Sequence, residues 1–207
     1  LTSVRQFFNY LVSTAKVLDT DPCEGFFPHS IQLKPPVVLF ASEQAALLEA
    51  AGEDEPWSLT AIWLMLKLGL TRQELLSLRR EEIDLSEAGC PVVNIVYEDP
   101  AKRAKDRRMA GDAEFEAIYV DYLERRHPAD LLVPYGFQAV NEMVARVSRG
   151  AELSKHVTPQ VLRHTFAVER AKQGADERQL LALLGLADDP RNRESVRRYL
   201  KLAAPPL

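Results

Sequence analysis

Residues 158–174 read TPQVLRHTFAVERAKQG, a stretch that opens on Thr158 and Pro159 and closes on Gly174. A threonine hydroxyl accepts a hydrogen bond from a free N–H of the first helical turn. A proline just inside that turn sacrifices no bond, and a glycine just past the last turn takes the left-handed conformation at no steric cost. These ends predict one helix, which holds Gln160, Val161, Leu162, Arg163, His164 and Phe166. Arg163 stands three residues after Gln160 on one face and beside apolar Leu162 and Phe166. A cation in that setting either closes a structural ion pair or reaches for an anion.

Working outward, Asp176 with Gln179 starts the next helix and Gly185 ends it, after which Asp189 with Pro190 starts a last one that includes Tyr199. Upstream, a helix follows Gly136, and Asp112 caps another that runs to about Arg126, with Glu114 and Glu116 in its first turn where they favour the positive end of the dipole. The β-branched run Val92, Val93, Ile95, Val96, ending in Tyr97, is a strand, and the charged segment after it can return as a second. Thr71 and Glu74 have the spacing of a capping box, in which hydroxyl and carboxylate satisfy each other's backbone donors, so a short helix runs from there to about Arg79. Pro56 starts a helix that stops at Gly69, and Ser42 caps one that runs to Gly52. Thr2 to Leu18 has apolar residues at helical spacing. Between them, Pro22, Pro28, Pro35, Pro36 and Gly25 break any regular element. The expected class is mainly α with a small antiparallel β-sheet around Val92 to Arg108.

The composition narrows the function. A net charge of −4 is not the global signature of a nucleic-acid binder, so any such affinity is local. Glu43 to Glu55 carries five carboxylates and no cation, whereas Lys102 to Arg108 carries five cations and one carboxylate. Binding would be one-sided. Cys23 and Cys90 lie far apart with no partners at ligand spacing, which predicts neither a metal site nor a disulfide framework and fits a reducing cytoplasm. The apolar run Leu59 to Leu70 is interrupted by Lys67 and is shorter than the roughly 20 residues a membrane span needs. A buried helix, and no membrane partner, is expected.

Three blocks carry a resemblance: Leu68 to Leu76 (LGLTRQELL), Ala101 to Arg107 (AKRAKDR), and Thr158 to Ala167 (TPQVLRHTFA) with Leu183, Leu184 and Gly185 downstream. In this order and spacing the chain resembles the catalytic domain of tyrosine recombinases, the phage integrase family. The resemblance implies residues 41–207 as that domain, 26–40 as a linker, and 1–25 as the last helix of a preceding core-binding domain. It also implies site-specific DNA recombination and integration through metal-free and cofactor-free phosphoryl transfer. In such a reaction a tyrosine attacks a DNA phosphate, two arginines and histidine or lysine donors hold the charge on its oxygens, and a lysine protonates the leaving oxygen.

Carried over position by position, the implied catalytic set is Arg163, Lys102 and Tyr199, while Thr71, Gln160 and Leu186 stand where the family has an arginine and two histidines. Arg72, Arg103, Lys105 and Arg107 are the implied DNA-binding cations. The implied partners are DNA, held weakly without a full core-binding domain, and a second copy or another recombinase. An impaired or inactive recombinase that still binds DNA or a partner follows. An active enzyme with a remodelled site that uses Arg72 is the alternative, and an interaction domain without a DNA role is a second. The plainer readings stand beside these: Thr71 as a helix cap, the cationic run as a solvated turn, Tyr199 as a packed aromatic, and His156 as a surface loop residue.

Overall fold

A computed structural model describes residues 2–24 and 35–204. The chain divides into two units, Leu1–Pro35 and Pro36–Leu207. In the first, α1 spans Thr2–Ser13. It stops five residues short of the expected Leu18, because the Thr14 and Ala15 N–H groups both fold onto the Tyr10 carbonyl and Lys16 takes a left-handed φ of 50°. Most of the expected linker falls outside the described residues.

The second unit is built around α3 (Ser58–Lys67), whose residues from Ser58 to Leu66 are almost all buried. An apolar helix surrounded on every side is what the run Leu59 to Leu70 predicts. Around it lie α2 (Ala41–Gly52), α4 (Arg72–Ser77), α5 (Ala113–Arg126), α6 (Phe137–Gly150), α7 (Pro159–Lys172), α8 (Glu177–Leu183) and α9 (Pro190–Ala203). The predicted caps at Thr71, Asp112, Thr158, Asp176 and Asp189 each accept from the first turn. Ser42 is a correction. The N-cap of α2 is Phe40, which has no side-chain acceptor for the first turn; its own N–H donates to Glu43 Oε2 at 2.7 Å, which ties the third helical residue back to the cap.

The small sheet is antiparallel, in the order β1 (Ile83–Asp84), β2 (Val92–Ile95), β3 (Arg107–Ala110). Val93 pairs with Ile83 on one side and Met109 on the other, and all three are buried. Two-residue β1 carries too little pattern to be seen in sequence. Between β2 and β3 a 3-10 turn, Pro100–Lys105, presents the cationic run.

Two features fix α7 against its neighbours. Thr165 Oγ1 accepts from the Leu39 N–H at 2.9 Å and donates to the Val161 carbonyl at 2.8 Å, which anchors the segment leading into α2. At Gly69, with φ +67°, a Cβ would stand 2.2 Å from Phe166 Cδ1, so only glycine lets the α3–α4 turn lie on the Phe166 ring. That close approach sets Thr71 and Arg72 beside the first turns of α7. Among the described residues no helix is long and apolar enough to cross a membrane.

Candidate active site

Glu74, on α4, is the buried centre of the site. Its carboxylate accepts from the Thr71 N–H at 2.7 Å, from the Tyr97 hydroxyl at 2.6 Å, and from both terminal nitrogens of Arg107 at 2.6 and 3.0 Å. Arg163 Nη1 lies 3.7 Å away. Burial works to raise the Glu74 pKa, but the bonds and charge of Arg107, with the Thr71 N–H, overcome it and hold the carboxyl at about 2. The same pair acts on Tyr97, whose hydroxyl is pushed up to about 12 by burial and by donation to Glu74.

Arg107 was expected among the DNA-facing cations, and its position corrects that. Its side chain is 7% exposed and locked to Glu74. Strand register is the reason, since Arg107 and Met109 share the inward face of β3 while Arg108 faces out. It also passes over Gly185, where a Cβ would come within 2.7 Å of Arg107 Nη1.

Arg163 is buried, and its guanidinium donates to the carbonyls of Gly69 and Leu184. Burial works against its charge and Glu74 supports it. It also lines an open cavity of about 930 Å³ with Thr71, Arg72, Lys102, Lys105 and Gln160. So the two readings left open for Arg163 meet in one place. Lys102 forms an exposed pair with Asp99 at 3.2 Å, and Lys105 lies 6.0 Å from the Tyr97 ring. Arg72 donates to Asn141 Oδ1 at 2.6 Å and covers the Phe137 ring at 4.8 Å.

The remaining expected residues are not gathered there. Arg103 is exposed and lies off the cavity wall. Leu186 packs on the core. Tyr199 is 8% exposed and does not line the cavity; its ring lies 5.6 Å from that of His164. Burial pushes the Tyr199 phenol up, against the pull of Arg163 and Arg198. Gln160 Nε2 meets His164 Nε2 at 2.8 Å, and burial keeps that imidazole below its ordinary pKa.

The wider role of Glu74, beyond its part in the capping box, is not visible in the local sequence, and neither are Phe137 and Asn141 on the cavity wall. The alternation counted back from Met109 would have turned Arg107 inward and asked for an acid to meet it. His156, read as a loop residue, is exposed as expected and also lines the cavity.

The family model described as phage integrase family matches residues 38–204. A tyrosine recombinase of Pseudothermotoga lettingae is 30% identical over 197 residues, covering 89% of this chain and 64% of that protein. Tyrosine recombinase XerC of Vibrio cholerae is 26% identical, covering 89% and 61%. The chain therefore spans a little under two thirds of the length of these relatives. Among solved structures, the XerA recombinase superposes with a TM-score of 0.68 at 23% identity, over 96% of this chain and 77% of that one. A lambda integrase dimer bound to a COC′ core site gives 0.71 at 15% identity, over 96% and 57%. At such identities the structures establish the fold.

Proposed function

The chain belongs to the phage integrase family, and from that premise we propose that it is a DNA-binding tyrosine recombinase domain whose strand-cleaving chemistry is impaired. The observation that carries the reading is the make-up of the cavity. Cleavage needs charge held on both free phosphate oxygens, a nucleophile, and a proton for the leaving oxygen. Thr71 and Gln160 on the cavity wall bring no charge, and Leu186 is packed away from it. Arg163, the one guanidinium at a family position, already donates to two main-chain carbonyls. Each preorganised donor lost to a developing oxyanion costs roughly 10²–10³-fold in rate, and a loss of three compounds even where the effects are not additive. Gln160 can donate a neutral hydrogen bond but cannot shuttle a proton near neutral pH.

DNA remains a fitting partner, because Arg72, Lys102 and Lys105 bring positive charge to the same wall. In this reading residues 41–207 form the DNA-facing catalytic domain, residues 1–25 are the end of a core-binding domain, and the protein works in the cytoplasm, with a second copy or another recombinase completing the assembly. Arg72 favours one rival, an active site remodelled around a displaced guanidinium.

One experiment separates the two. A suicide DNA substrate that traps the phosphotyrosyl adduct should give none with this chain under conditions where an intact family member reacts fully. Thr71→Arg, Gln160→His and Leu186→His together should recover adduct, and Tyr199→Phe in that background should abolish it. Robust adduct from the unmodified chain would overturn the impaired reading in favour of the remodelled one.

A further inference from the structure

The cavity wall holds a feature that phosphate binding does not use. Phe137, the first residue of α6, is 51% exposed. It is a half-exposed aromatic ring at the edge of a cationic cavity. Arg72 lies over it at 4.8 Å, and Asn141, one helical turn further along, fixes that guanidinium through a 2.6 Å bond. Ring and guanidinium thus form a pre-set stacked pair rather than two free side chains, with the guanidinium over the ring and about half of Phe137 still open to solvent. All three residues line the cavity together with Lys102 and Lys105.

The size of the cavity points the same way. At about 930 Å³ it is near the upper end of the roughly 300–1,000 Å³ of sites that enclose whole small molecules, far more than one phosphate group fills. A base has a π-face that stacks on an aromatic side chain or a guanidinium plane whatever its identity. In an intact duplex, however, both faces of each base are already covered by its neighbours. Only an unpaired, splayed nucleotide can offer one.

We propose that the Arg72–Phe137 platform receives an unpaired base, with the backbone phosphate of that nucleotide on the cations of the cavity, so that the preferred ligand is DNA carrying a gap or single-stranded segment rather than intact duplex. The inference rests on the DNA-binding reading above and adds the class of DNA. It also gives Arg72 a role as a stacking group held in place by Asn141, distinct from that of a substitute for the arginine missing at Thr71.

The test compares an intact duplex with the same duplex carrying a short central gap that contains 2-aminopurine, using fluorescence anisotropy across a salt series. The gapped duplex should bind about tenfold tighter, within the range that one stacked base supplies. The fluorescence of 2-aminopurine should be quenched on binding. Phe137→Ala should bring the gapped duplex to the level of the intact one and remove the quenching, and Phe137→Trp should keep both. Because Phe137 is exposed, an unchanged circular dichroism spectrum suffices to show that the variants fold. Equal, salt-dependent binding of the two DNAs overturns the platform and leaves the DNA reading standing. A preference for the gap that survives Phe137→Ala also overturns it. No salt-dependent binding of either DNA overturns both.

Discussion

Glu74 and Arg107 face each other through two parallel hydrogen bonds, at 2.6 and 3.0 Å, with side chains 3% and 7% exposed. Two charges this deeply buried are tolerable only together, and the removal of one strands the other. Arg107→Leu should therefore cost about 3–5 kcal/mol of unfolding free energy, as read from chemical denaturation. Glu74→Leu combined with Arg107→Leu should cost clearly less than the sum of the two single changes. A loss below about 1 kcal/mol for Arg107→Leu, the range of a surface pair, would show that the pair is not the anchor described.

The same carboxylate sets an acid limit. The Glu74 carboxyl is held at about 2, against an ordinary 4.5, so the folded form favours its charged state. Its contribution, on the order of 3 kcal/mol, is fully present above pH 4.5 and is lost as pH falls toward 2. Unfolding midpoints measured from pH 6 downward should fall through that window. Glu74→Gln should be less stable at pH 6 and should show a flatter profile; an unchanged profile in the variant would assign the acid sensitivity elsewhere.

Gly69→Ala adds a methyl group where Phe166 Cδ1 is only 2.2 Å away, at φ +67°. Left-handed strain costs about 1–3 kcal/mol, and forced repacking adds about as much again. We expect a loss above about 3 kcal/mol. Gly150→Ala is the control, because its Cβ meets Ala50 at an ordinary 3.7 Å and replaces a helical glycine. It should be neutral or stabilising by up to about 1 kcal/mol. Equal melting temperatures for the two variants would contradict the packing of the α3–α4 turn on α7.

Lys102 and Lys105 are each partly exposed on the cavity wall. Charge removal by Lys102→Gln and Lys105→Gln should change stability by no more than about 0.5 kcal/mol. It should also reduce the slope of log affinity against log salt by about 0.9 for each phosphate no longer neutralised. Arg107→Gln should weaken binding only in proportion to the loss of folded protein. A smaller salt slope in Arg107→Gln at full foldedness would return that residue to the DNA surface.

Much of this architecture is legible in the sequence. Caps are local chemistry, so Thr71, Asp112, Thr158, Asp176 and Asp189 announce their helices from side chains a few residues apart. The joint order of the three blocks marks the family. What stays hidden depends on interactions made at long range. Nothing within a few residues of Glu74 says that Arg107, on another element, will bury itself against it. Nothing near Arg72 says that a ring and an amide on α6 will hold its guanidinium. Two-residue β1 is invisible because its pairing exists only beside β2. Tyr199 shows the limit of order along the chain, since a matching position did not place its side chain on the cavity wall.

The guanidinium of Arg163 joins three distant parts of the chain, its own helix and the carbonyls of Gly69 and Leu184. During synthesis, residues 1–183 emerge with this cation already made and one of its two acceptors still to come. A chain stopped short of α8 would bury this guanidinium with one of its carbonyl acceptors missing or leave α7 undocked, so the floor of the cavity and the closing of the domain are expected to behave as one cooperative unit. Backbone amides on the cavity floor should therefore exchange with solvent only as slowly as those of the domain core, which native-state hydrogen exchange would read. Truncation after α7 should yield an expanded, protease-sensitive chain rather than a smaller domain with the same cleft.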